Sequence, residues 1–498
     1  MLVLAVAAHL LFSGYGFNPT DEGFILGYSK RVLNGEIPHS DFISIRPALS
    51  AYLHTLDFTF GTERLFYNSR LIAWLMLSMS IGIWLFVLAT KIQSRVTTIV
   101  IGVISFLVVT HDYPVMAWHT IDGIFLCSLG YLALKSEKPG WAIIGSILLG
   151  AAYLCKQNFL LAGPVFIFFH APKKFKALIA WLLPGALYWL MIKVYGASAE
   201  MFDQFKTETS LLKTGIWQYI SSPYLWLGVL AGIGHWALSK WQSKATQILW
   251  LLGVTAFLGY ALHEGAADFG PVFLLTGMAL TFFLVNQEIK FSTTVCGLFL
   301  AWSASISIGL NSPVLAATPI ALLVFTPLLK RLHIFVQFAV VAVLAFGYWQ
   351  GRAFHTYRDV PYERMTQNLS ELNLGLDGIK TNERTFGLLK ELDGLSNEKI
   401  IVLPYSGAFW ASQKKSNPIS SHWTSGIELA NPALKKRVID EVDLLKIDGY
   451  KVLIPKYRVD GMGMGKFEYE SYDRFPVMHH VTSTWQMSEE LSWWWVFE

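Results

Sequence analysis

Apolar runs of about 15 to 20 residues recur from the N-terminus to about Gln350, the length a helix needs to cross a hydrocarbon core of about 30 Å. A water-soluble core has no use for so many. Of the 498 residues, 53% are hydrophobic and only 15% are charged, below the roughly 25% of an ordinary soluble domain. The expected fold class is therefore a polytopic α-helical membrane protein. The formal charge of +4 is small for this length, and Lys and Arg sit in short clusters rather than on one basic face, so nucleic acid is not an expected partner. Cys127, Cys155 and Cys296 all fall in or beside apolar segments, which points to neither a disulfide framework nor a cysteine zinc site.

Spans are expected at about 1–17, 71–90, 97–111, 118–134, 141–155, 158–171, 177–195, 221–238, 246–263, 270–286, 292–310, 314–329 and 333–350, which makes about thirteen helices. The first segment lacks a basic n-region and an Ala-x-Ala site, so it reads as a short span rather than a signal peptide. Alternate connections carry Lys91 and Arg95, Lys135 and Lys138, Lys173 with Lys174 and Lys176, Lys240 and Lys244, Lys290, then Lys330 and Arg331. The positive-inside rule makes these loops cytoplasmic. The loops near 112–117, 264–269 and 311–313 have no Lys or Arg, and the one near 156 has only Lys156.

Residues 1–350 thus read as a membrane domain whose first outer loop, 18–70, shares a side with the loops near 112–119, 156 and 196–218. Residues 351–498 read as a small extracytoplasmic α/β domain. There "EKIIVLPYSGAFWAS" and "YKVLIPKY" have strand character, and "TNERTFGLLKELDGL" has the pattern of an amphipathic helix. The sequon Asn368-Leu369-Ser370 matters only in a glycosylating host.

The outer loop holds an interval unlike the rest of the chain. "NPTDEGFILGYSKRVLNGEIPHSDFISIRPALSAY", Asn18 to Tyr52, gathers Asp21, Glu22, Lys30, Arg31, Glu36, Asp41 and Arg46. A first span, "DEG" opening a long outer loop, then "GEIPHSDF" and Arg46-Pro47 before the next helix resemble the GT-C glycosyltransferases. In plan the chain is most similar to the bacterial transferases that add aminoarabinose to lipid A and to the protein O-mannosyltransferases. Asp122, in "WHTIDGIFLCSLGYLAL", is similar to a second acidic position of that family, where Asp-Pro is frequent and this chain has Asp122-Gly123. Lys156, in "YLCKQNFLLAGP", stands where the family has a Thr-Lys-Gly-like turn.

The resemblance implies a hexosyl- or pentosyltransferase of the cell envelope, in the bacterial inner membrane, taking sugar from a polyprenyl-phosphate donor held among membrane lipids. No segment identifies the acceptor, so its hydroxyl is left open among lipid, glycan and protein. By the same resemblance Asp21 is the general base, with Glu22 and Asp122 as further catalytic acids. Arg46 and Lys156 bind the donor phosphate, a role suited to a planar guanidinium and a point charge. Family members that bind a divalent metal use acids of the first loop and a second early acid, so Asp21, Glu22, Asp112 and Asp122 are the candidate ligands for Mg²⁺ or Mn²⁺.

Blander readings apply to other residues. Lys30, Arg31, Glu36, Glu63 and Arg64 are expected to be solvated, and His111, His119 and His263 to be interfacial and structural. Trp118, Trp217 and Tyr219 fit an aromatic belt, and Ser305 to Pro319 is a helix break at an outer turn. Two other functions fit the same layout. One is an O-antigen-ligase or polymerase-like transferase with a diphosphate-linked donor, disfavoured because the longest outer loop is the first. The other is a lipid-linked-sugar transporter or flippase, disfavoured by the scarcity of midplane charge and repeats.

Overall fold

The apolar runs become helices because a segment with no water around it must satisfy its backbone internally. The computed structural model describes residues 1–89, 94–110, 115–136, 138, 140–206, 217, 220–240, 244–264, 277–281, 291–305, 329, 332–457 and 474–498. Helices α1 (Leu2–Phe12), α2 (Glu22–Leu33), α3 (Leu49–Leu53), α4 (Leu65–Ala89), α5 (Arg95–Thr110), α6 (His119–Leu134), α7 (Trp141–Cys155), α8 (Ala162–His170), α9 (Lys174–Val194) and α10 (Ser198–Phe205) form the first half. They are followed by α11 (Pro223–Lys240), α12 (Lys244–His263), α13 (Phe291–Ser305) and α14 (Ile334–Phe354). Three stretches, Leu65–Val87, Lys174–Val194 and Ile334–Phe354, are long and apolar enough to cross a membrane. The expected spans at 270–286 and 314–329 lie almost wholly outside the described residues.

Packing and exposure separate the helix faces. In the interior, Trp84 of α4 stacks on Tyr131 of α6 with ring centroids 4.5 Å apart, and its Nε1 donates to Ser128 Oγ at 3.1 Å. Along α9, Phe175, Ile179, Leu182, Leu183, Leu187, Leu190 and Val194 are all exposed, spaced as a continuous apolar stripe. Water would penalise that stripe and lipid would cover it, as in a helical membrane protein.

Two expectations near the N-terminus are corrected. The first helix stops at Phe12 rather than running to residue 17, because Gly16 adopts φ 76° in the turn that follows. The outer loop is not a solvated connector: α2 lies inside it and is largely buried. Arg31, expected in solvent, is 4% exposed. Its Nε meets Glu36 Oε2 at 2.6 Å and its Nη1 donates to the carbonyl of Ile419 at 2.8 Å. A charge this buried persists because each face of the guanidinium has an acceptor.

What covers α2 is the C-terminal region. It contains α15 (Glu383–Gly394), α16 (Gly407–Ser412), α17 (Pro432–Ile447) and α18 (Pro476–Thr484) with strands β1 (Gln367–Asn368), β2 (Lys380–Thr381), β3 (Ile400–Val402), β4 (Lys451–Pro455), β5 (Met487–Glu490) and β6 (Trp494–Phe497). The main sheet has the order β3-β4-β6-β5, with β3 parallel to β4 and the other pairs antiparallel. Local signals place its helices. Asn382 Oδ1 caps α15 by accepting from Thr385 N at 3.0 Å, and Asn431 caps α17 ahead of Pro432. Of the strand expected through Ser412, only Ile400–Val402 is extended, since Pro404 cannot donate to a ladder and α16 begins at Gly407.

The two regions share a core. Ile43 and Ile45 of the opening segment pack with Ile401, Val438, Val452 and Val477, and Ile43 N donates to Ser420 O at 2.8 Å. The backbones of α2 and α16 meet directly: a Cβ built on Gly23 would lie 1.8 Å from Ala408 N. Only glycine fits there.

Candidate functional site

The turn into α2 positions Asp21. Asn18 Oδ1 accepts from Thr20 N at 3.0 Å and from Thr20 Oγ1 at 2.6 Å, while Glu22 Oε1 reaches back to Asn18 N at 3.1 Å. Asp21 is 3% exposed, and its Oδ2 receives three donors: Asn18 Nδ2 at 3.0 Å, Tyr357 OH at 2.8 Å and the Arg358 guanidinium at 2.9 Å. Among the described residues nothing donates to Oδ1. Arg358 makes its contact from φ 53°, a conformation that costs a non-glycine residue about 1 kcal/mol. Tyr357 also lines a cavity with Tyr15, Arg70, Trp74, Arg352 and Tyr362.

Glu22 does something else. Both carboxylate oxygens are engaged by Arg70 of α4, at 2.6 Å from Nη2 and 2.8 Å from Nε, and Arg70 also donates to the carbonyls of Ser13 and Gly16. That arrangement fastens the α1–α2 turn to α4 and gives Glu22 a supporting place beside Asp21.

One turn along α2, Phe24 joins Asp21 to a second group. Its ring lies under the Arg46 guanidinium at 5.2 Å, 4.6 Å from Trp423, 5.8 Å from Trp118 and 6.3 Å from His119. Trp423 in turn donates from Nε1 to the carbonyl of Thr20 at 3.1 Å. Arg46 Nη1 pairs with Glu428 Oε1 at 3.0 Å, and Lys156 Nζ donates to Thr120 Oγ1 at 3.2 Å. Among the described residues no carboxylate meets Lys156, which is only 4% exposed. Burial, with the Arg46 charge adding to it, lowers the Lys156 ammonium to about 7. His119 is buried beside them with no hydrogen-bond partner on Nδ1. The Arg46 charge acts on Lys156, 110 positions further along the chain, so the two residues to which the resemblance gives a phosphate role lie near one another. His119 joins them rather than serving only as an interfacial residue.

Asp122, two residues beyond Thr120 on α6, has a different partner. Its Oδ1 is 3.1 Å from His54 Nε2, and His54 Nδ1 is 2.9 Å from Asp57 Oδ2, all three residues being about 1% exposed. Burial works against a charge on His54, but the carboxylates of Asp122 and Asp57 outweigh it and hold the imidazole well above its usual value. Asp122 Oδ2 has no partner. Sequence reading overlooked this group. A His-x-x-Asp spacing on a short interfacial helix was visible, but nothing in the chain order points His54 at α6.

The carboxylates do not form one metal-ligand set. Asp21 faces Arg358, Glu22 faces Arg70 and Asp122 faces His54, so each carboxylate has a different basic partner. No group of three or more metal-ligating side chains occurs among the described residues, and Asp112 lies outside them.

No family model, curated protein or solved structure matches this chain.

Proposed function

We propose that the protein is an integral-membrane glycosyltransferase of the GT-C type, moving a sugar from a polyprenyl-phosphate donor to an acceptor hydroxyl. In this reading about thirteen helices span the membrane. Asp21, the Arg46 and Lys156 group and the C-terminal region face outward, in a bacterial inner membrane. The observation that carries the reading is the buried Lys156, with no carboxylate on it among the described residues, near the half-buried Arg46, which Phe24 joins to a buried aspartate. Buried positive charge in excess calls for an anion, and a lipid-borne phosphate presents one at the membrane surface.

The chemistry follows from these positions. The donor's phosphate sits against Arg46 and Lys156, with Trp118 and Phe24 flanking it. Asp21 Oδ1 accepts the proton of the acceptor hydroxyl as that oxygen attacks the anomeric carbon. The bond from the anomeric carbon to the phosphate oxygen breaks, and the electron pair leaves with the polyprenyl phosphate; Arg46 and Lys156 stabilise the charge as it develops, and the completed dianion, one charge in excess of the site, departs. Asn18, Tyr357 and Arg358 keep Oδ2 in place, so that Oδ1 is the oxygen presented.

The test is a transfer assay on purified protein with a polyprenyl-phosphate sugar and envelope lipid extract as acceptor. Asp21→Asn removes the base while preserving shape, and transfer is expected to fall by about 100-fold or more, a typical general-base contribution. Full activity in a folded Asp21→Asn protein overturns the mechanism.

A further inference from the structure

We propose that Glu428 sets how much negative charge the Arg46 and Lys156 site takes, and thereby makes a phosphodiester its matching ligand in place of a diphosphate. The inference rests on the reading of that site as the place of the donor's phosphate.

Arg46 links two other charged side chains, pairing directly with Glu428 and acting through its charge on Lys156. Arg46 and Glu428 are paired at 3.0 Å, with the glutamate 3% exposed. Lys156 has the Thr120 hydroxyl as its hydrogen-bond partner. Two cations and one anion leave a single surplus positive charge in a space almost without water. A ligand with one negative charge neutralises it, whereas one with two leaves a net buried anion, which is costly away from solvent. A sugar joined to a polyprenol through one phosphate carries one such charge, and the diphosphate-linked form carries two.

Glu428 is the one member of this group contributed by the C-terminal region, ahead of α17. Its position is built. Tyr28 lies close enough for the charges of Glu428, Arg46 and Arg31, the last already paired with Glu36, to act on its hydroxyl, and the Arg46 guanidinium lies over the Phe24 ring. Removing the Glu428 charge makes the surplus two and inverts the preference.

The experiment uses the full chain in nanodiscs of zwitterionic lipid at about pH 6, where Lys156 is charged. Citronellyl phosphoglucose and citronellyl diphosphoglucose are titrated by calorimetry, and a third arm adds phosphatidylglycerol as competitor. The wild-type protein is expected to bind the monophosphate probe at least about tenfold more tightly, and Glu428→Gln to move that ratio by at least about tenfold toward the diphosphate. Glu428→Asp, which keeps the charge, retains the wild-type ratio and controls for misfolding, as does the melting temperature of each variant. An unchanged ratio in folded Glu428→Gln overturns the role of Glu428 while leaving the phosphate site standing. Binding of neither probe by the wild-type protein overturns both. Full displacement of the monophosphate probe by phosphatidylglycerol identifies a headgroup phosphate as the occupant and overturns the donor reading.

Discussion

Lys156 and Glu22 are both buried charges, and their surroundings give them different work. Because burial holds Lys156 at about 7, its charge is present below that pH and lost above it. Anion affinity is therefore expected to fall as pH rises through about 7, by up to tenfold per unit, and Lys156→Met to abolish both the affinity and its pH dependence. Stability runs the other way: the unfolded lysine protonates first, so the buried lysine lowers stability as pH falls from its usual 10.5 toward about 7, and the penalty is then constant. A titration of probe binding from pH 5.5 to 9 checks the first point. Glu22 has no such freedom, being bonded through both oxygens to Arg70. Glu22→Gln strands a buried guanidinium and is expected to cost about 3–5 kcal/mol, read as a lower melting temperature in detergent. A Glu22→Gln protein of normal stability with lost transfer places Glu22 in the catalytic group.

At the scale of elements, the contact of α2 with α16 places the site. Asp21 begins α2, Phe24 lies one turn on, and Trp423 and Glu428 follow α16, so the fit of these two helices decides where the acid and the cation pair stand relative to each other. Gly23 permits that fit by letting the backbones touch. Gly23→Ala must push α16 away, with an expected cost of about 3 kcal/mol and a weakened Arg46–Glu428 pair. Melting temperature and phosphate-probe affinity should fall together; an unchanged pair of values counts against this contact as the organiser. The helix boundaries were legible in sequence where hydrophobic length or amphipathic pattern is clear, as at 141–155 and in α15. They were not legible at α2, whose polar residues read as a solvated loop because the surface that buries them comes from about 400 residues later in the chain.

Over the whole molecule, lipid, water and the C-terminal region divide the surface among them. The exposed stripe of α9 is apolar enough to suit acyl chains, and the buried charges of the opening segment lie under the C-terminal sheet and helices. If that assembly faces outward, alkaline phosphatase fused after Glu498 is active in a bacterial host and a green fluorescent protein fusion is dark; the reverse result inverts the topology. The amino-acid sequence alone determined the abundance of apolar helices and the placement of most of their ends, because hydrophobic length is a local property, and a resemblance carried by short motifs singled out Asp21, Arg46 and Lys156. Only the tertiary structure decided which charges face which. It assigned Glu22 to Arg70, Asp122 to His54, Arg31 to Glu36, and His119 and Glu428 to the cation pair, because pairing in a dry interior depends on contacts between segments far apart in the chain.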